Sequence, residues 1–143
     1  MPALLPKDNG HDLSQFGRPA KGTLRDSFRH AFSGLAYVLR VERNPRIHLA
    51  IALLALILGV WLGLSPIEWA LIVAAIAGVF AGEMLNTVVE LIVDLITLDH
   101  HPLAKQAKDV AAGAVLVAAI AAAAIGLVIL GPHLWARLAS LAS

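Results

Sequence analysis

The sequence predicts an all-α membrane protein, an N-terminal amphipathic surface helix followed by three transmembrane helices. Three observations carry that prediction. The 143 residues are 59% hydrophobic and 15% charged, and the mean hydropathy of +0.78 is far from a soluble globular average. Two apolar runs, "IHLAIALLALILGVWLGL" at 47–64 and "VAAGAVLVAAIAAAAIGLVIL" at 110–130, are each near the roughly 20 residues that cross a bilayer as helix. A third, "IEWALIVAAIAGVFAG" at 67–82, runs straight into a polar-striped segment ending near Thr97.

Taken in order, residues 1–22 are rich in Pro, Gly and charge and read as a flexible tail. They hold no continuous apolar core of the kind a signal peptide needs, so nothing in them is obviously cleaved. Residues 24–43 read as a helix lying on the membrane surface. Leu24, Phe28, Ala31, Phe32, Leu35 and Leu39 recur on one face, with Arg25, Asp26, Arg29, Ser33 and Arg40 on the other. Pro45 stops or turns this helix before the first span. Glu42 falls on the apolar side of the wheel, where it lacks a partner. Spans follow at about 47–64, 67–97 and 110–130 within a domain covering 23–135, and 136–143 reads as a short tail.

Charge placement orients the chain. Eight of the eleven Lys and Arg residues precede the first span, Lys105 and Lys108 lie between the second and third, and only Arg137 follows the third. The positive-inside bias puts the N-terminus and residues 83–109 in the cytoplasm, with the C-terminus outside. Cysteine is absent, which removes disulfides and thiolate chemistry.

The stretch "GEMLNTVVELIVDLIT" at 82–97 holds the chemistry. With a step of 100° per residue, Asn86, Thr87, Glu90, Asp94 and Thr97 all fall within about 60° of Glu83. Three carboxylates on one stripe repel each other unless something positive joins them. Glu83 and Glu90 are two turns, about 10 Å, apart along the axis, too far to chelate one ion together but suited to separate roles. Magnesium prefers one or two carboxylates plus phosphate oxygens, and Lys108 and Asp109 add a cation and a carboxylate just ahead of the third span. These features suggest a metal-dependent site for a phosphorylated ligand.

Blander readings exist. A polar stripe can line an oligomer seam or an ion pathway, although unpaired buried charges make a costly seam. An ion-coupled transporter would place carboxylates at several depths, whereas nothing ionisable lies between 69 and 82. His30, His48, His100, His101 and His133 have no spacing that requires a metal, and the His100–His101 pair reads as loop. There is no Walker loop, GxGxxG or GxSxG.

The pattern E-x-x-N-T-x-x-E-x-x-x-D (Glu83, Asn86, Thr87, Glu90, Asp94), with "HPLAKQAKDVAAGAVL" at 101–116 and "SFRHAFSGLAYVLRVERNPRIH" at 27–48, resembles the small bacterial integral-membrane diacylglycerol kinase family. Within it, the likeness points to the Gram-positive branch that acts as undecaprenol kinase. The match covers roughly 24–132. Pro45 inside "ERNxRIH" and His100 in place of a common Tyr are its main departures.

That resemblance implies a homotrimer with active sites at the cytoplasmic interface of the bacterial membrane, shared between subunits. ATP and a membrane lipid alcohol, undecaprenol or alternatively diacylglycerol, are the expected partners, and nucleic acid is not. By the same resemblance Glu83 is the general base, Asn86 and Asp94 support it, and Glu42 and Glu90 hold Mg²⁺. His30, Asp99, His100, His101, Lys108 and Asp109 match positions that contact the nucleotide.

Overall fold

The computed structural model describes residues 22–97 and 99–142; the expected tail over 1–21 lies outside them. Among the described residues there are four helices, α1 (Leu24–Val41), α2 (Asn44–Leu62), α3 (Pro66–Ile96) and α4 (Pro102–Ala142). The last three are long and apolar enough to cross a membrane. The chain divides into two compact units between Ser33 and Gly34, inside α1.

The first unit holds the start of α1, fixed by a reciprocal cap. The Thr23 backbone N–H and hydroxyl donate to Asp26 Oδ2 at 3.0 and 2.8 Å, and the Asp26 N–H donates back to Thr23 Oγ1 at 3.3 Å. Two of the donors that every helix start leaves open are thereby satisfied. The Thr23 hydroxyl, and then its backbone N–H, hold the Asp26 carboxyl below its ordinary value.

In the second unit α1 ends at Val41, two residues sooner than periodicity suggests. Glu42 therefore sits in the link to α2, past the end of the wheel on which its apolar placement was drawn. Its carbonyl accepts from Arg46 Nε at 3.0 Å. Pro45 occupies the first turn of α2, where its missing N–H costs nothing, and it is fully buried.

The turn from α2 to α3 takes three residues. Gly63 adopts φ 73°, a left-handed conformation that favours glycine, and lets the N–H groups of Gly63 and Leu64 both return to the Gly59 carbonyl, at 3.1 and 3.2 Å. Ser65 then caps α3. Its N–H donates to Glu68 Oε2 at 2.7 Å, and its hydroxyl accepts from the Glu68 N–H at 3.4 Å. Beside this turn α2 and α3 nearly touch, since a Cβ at Gly59 would meet the Trp69 ring at 2.9 Å. Leu64, Ile72 and Ile129 form the buried cluster there, flanked by Leu56, Trp69, Ile76, Ile125 and Leu130.

Helix α3 is 31 residues, about 46 Å at 1.5 Å per residue, so it outruns a hydrocarbon core of about 30 Å. Helix α4 exceeds expectation at both ends. It starts at Pro102, which places Lys108 and Asp109 inside the helix rather than ahead of it. It also passes through Pro132 to Ala142, so that 136–142 continue the helix instead of forming a tail. A proline inside a helix removes one ladder bond, and next to it His133 Nδ1 lies 3.0 Å from the Ile129 carbonyl.

Candidate active site

Helix α3 carries its acids along a gradient of exposure. Glu83 is 2% exposed and Thr87 3%, Asn86 and Glu90 are half-buried, and Asp94 is exposed. One helical stripe thus passes from a dry surround into solvent.

Each polar group has a defined position. The Thr87 hydroxyl donates to the Glu83 carbonyl at 3.1 Å, a local bond that leaves the Glu83 carboxylate free. Asn86 Nδ2 donates to Glu90 Oε1 at 2.8 Å, fixing that carboxylate one turn away. From α2, His48 brings its Nε2 to 3.1 Å from Glu83 Oε1. The distance is short but the alignment is poor, and Glu83 Oε1 and Asn86 Oδ1 remain buried acceptors with no hydrogen-bond donor. Unsatisfied buried acceptors are uncommon and call for an explanation. Glu42 and Glu90 both act on Glu83 as like charges, so the link after α1 and two turns of α3 concentrate negative charge at one place.

Beyond Asp94 the α3–α4 connection opens a cleft of about 700 Å³, lined by Asp94, Thr97, Asp99, His100, His101, Lys105, Lys108 and Asp109 among others. Lys108 Nζ lies 2.6 Å from Asp94 Oδ1, and Lys105 pairs with Asp109 one turn along α4. The His101 ring accepts from the Leu103 N–H at 3.2 Å, capping α4. This bond fixes Nδ1 as the acceptor and leaves the N–H on Nε2.

The sequence-derived residues therefore fall into two groups. Glu42, Glu83, Asn86 and Glu90 form the acidic one, while Asp94, Asp99, His100, His101, Lys108 and Asp109 line the cleft. His30 is exposed on the part of α1 that belongs to the first unit, and its assignment rests on the resemblance alone. His48 and Lys105 were not anticipated. Lys105 stands four residues before Asp109, a spacing that pairs charges on a helix and was legible. His48 reaches Glu83 across 35 positions of sequence, and no periodicity reports such a contact.

The model of the family described as prokaryotic diacylglycerol kinase matches residues 29–130. The chain belongs to that family. It is 47% identical over 128 residues to the undecaprenol kinase of Bacillus subtilis (strain 168), covering 90% of this chain and 98% of that protein. It is 42% identical over 109 residues to a diacylglycerol kinase of Synechocystis, 76% of this chain and 62% of the relative. With the diacylglycerol kinase of Escherichia coli (strain K12) it shares 35% over 81 residues, 57% of this chain and 66% of that enzyme. Membership makes the chain a membrane lipid kinase, which transfers phosphoryl from ATP.

Among the described residues no three His, Asp or Glu side chains converge to hold a metal by themselves. The donors nonetheless suit Mg²⁺, which needs only one or two carboxylates when phosphate oxygens complete its shell. Glu90, steered by Asn86, and Glu42, which like Glu90 acts on Glu83, are two such carboxylates.

Proposed function

We propose that this protein phosphorylates undecaprenol to undecaprenyl phosphate, using ATP with Mg²⁺. The observation that carries the reading is the buried Glu83 carboxylate, with an acceptor oxygen that no donor satisfies, on the helix whose Asp94 end lines a cleft bearing Lys108. The choice of undecaprenol rests on the likeness to the Bacillus enzyme over nearly its whole length.

A lipid alcohol is a poor nucleophile at neutral pH, so a carboxylate must take its proton as the γ-phosphoryl moves. Glu83 does this. The alcohol O–H bond breaks and its proton passes to Glu83, while the oxygen bonds to the γ-phosphorus and ADP leaves with the bridging oxygen. Lys108 offsets phosphate charge, Asp94 holds the Lys108 ammonium in place, and Asn86 orients Glu90. Asp99, His100, His101 and Asp109 bound the nucleotide cleft. Glu42 and Glu90 would hold Mg²⁺, whose chemistry when bound is to neutralise the charge that develops on the phosphates. Much of the remaining acceleration comes from positioning.

The domain so assigned covers 23–135, with the N-terminus and the Glu83 end in the cytoplasm and the C-terminus outside, as the distribution of Lys and Arg supports. Apolar side chains stay exposed along α2, α3 and α4, a surface suited to lipid and to the homotrimer that the family resemblance implies.

The test is transfer from labelled ATP in mixed micelles with Mg²⁺, offering undecaprenol and diacylglycerol separately, with Glu83→Gln alongside. Label in undecaprenol that disappears in Glu83→Gln is the expected result. Label mainly in diacylglycerol would overturn the acceptor but keep the chemistry, and no label in either lipid from folded protein would overturn the kinase assignment.

A further inference from the structure

Glu83 is enclosed, and the charged groups that act on it are unevenly matched. Glu42 and Glu90 carry its own sign, and His48 alone opposes it. The two lysines of this end are committed elsewhere, Lys108 to Asp94 and Lys105 to Asp109. His48 Nε2 lies 3.1 Å from Glu83 Oε1, and both side chains are shielded, at 23% and 3% exposure.

The ring has a second neighbour. It closes one end of an apolar groove of about 550 Å³ that runs between α2, α3 and α4, lined by residues such as Ala52, Leu58, Ile76, Phe80 and Leu127. His48 is the polar side chain of that lining. The ring thus lines the apolar groove and lies within hydrogen-bonding distance of the Glu83 carboxylate.

From this geometry we infer that His48 is the positioning residue for Glu83. The N–H of its ring at Nε2 donates to Glu83 Oε1, orients the carboxylate, and leaves Oε2 to receive the alcohol proton. This rests on the reading of Glu83 as the base. Turning the ring so that its N–H points at the oxygen converts the short, poorly aligned contact into a charge-assisted hydrogen bond. The histidine makes no bond to lipid or nucleotide; it acts through Glu83.

A hydrogen bond to a carboxylate favours its charged form, so loss of the donor must show in the pH profile rather than as a uniform loss. In full-length protein in mixed micelles with undecaprenol, His48→Leu should lower kcat about tenfold at pH 7. The acidic limb of its profile should move to higher pH, recover to within about twofold of the parent near pH 9, and leave the KM for ATP within about twofold. His48→Gln, which keeps an N–H donor, should retain the parent's profile. An equal loss in His48→Leu at every pH, or a profile identical to the parent's, overturns the inference. Thermal unfolding in the same detergent identifies a variant that merely fails to fold, and His48→Gln then decides: a profile displaced toward higher pH despite the retained donor overturns the role. Glu83→Gln separates the two readings. If it stays active, the base assignment fails and takes this inference with it; if it is dead while His48→Leu matches the parent, the inference alone fails.

Discussion

The two ends of the three-helix bundle treat polar groups in opposite ways. At the Gly63 end, Glu68 serves the Ser65 cap and lies 3.6 Å from His133, the Arg137 guanidinium sits 5.7 Å above the Trp61 ring, and the buried cluster of Leu64, Ile72 and Ile129 closes beneath. At the Glu83 end the α3–α4 connection opens a cleft, and two shielded acceptors, Glu83 Oε1 and Asn86 Oδ1, go without a donor. A polar group partnered at the surface has nothing to offset, whereas one shielded and unpartnered costs about 1–3 kcal/mol. One end is built for folding, and the other holds polar groups at a cost to folding.

If that division is right, substitutions at the two ends should separate cleanly in their readouts. The largest effect belongs to Glu83→Gln, which should reduce kcat by about two to four orders of magnitude. It should also leave thermal stability in detergent equal or higher, since it removes a repelled carboxylate; a marked loss of stability would show that Glu83 is structural. Next is Gly59→Leu at the other end, where a side chain would run into Trp69. It should cost about 2 kcal/mol of stability and leave kcat and KM unchanged below its melting temperature. Lys108→Ala follows, with KM for ATP raised about tenfold and stability little altered, because the Lys108–Asp94 pair is partly exposed and such pairs contribute little. A lowered kcat with unchanged KM would instead place Lys108 on the reacting phosphoryl group.

How far each end was legible follows from the range of its interactions. The acidic stripe was readable because a 3.6-residue period lays Glu83, Asn86, Glu90 and Asp94 on one side of α3. The order of the elements was readable too, because each apolar run is long enough to span. The extent of α4 was not. Hydropathy marks the part of a helix that meets lipid, and "PLAKQAKD" is polar although its residues favour helix and Lys105 pairs with Asp109. At the far end the apolar run stops at Leu130, yet α4 continues to Ala142. The His48–Glu83 contact was beyond reach for a different reason: it depends on how α2 is set against α3, which the Pro45 start and the Gly63 turn determine together.

The smallest predicted effect tests the division most sharply. Ser65→Ala removes the hydroxyl that accepts from the Glu68 N–H but keeps the backbone N–H that donates to Glu68 Oε2, so half of the capping box survives. The expected cost is about 1 kcal/mol, read as a lower melting temperature in detergent, with kcat, KM and the pH profile unchanged. The cap and Glu83 lie 18 positions apart on one helix, about 27 Å at 1.5 Å per residue, and α3 is continuous between them. A rigid helix transmits a shift at its start to every side chain along it, whereas a frayed first turn is absorbed locally. Unchanged kinetics would therefore mean that the Gly63 end only anchors α3. A fall in kcat from so small a lesion would mean that the placement of Glu83 against His48 is set from the opposite end of the bundle, and the two ends would have to be treated as one device.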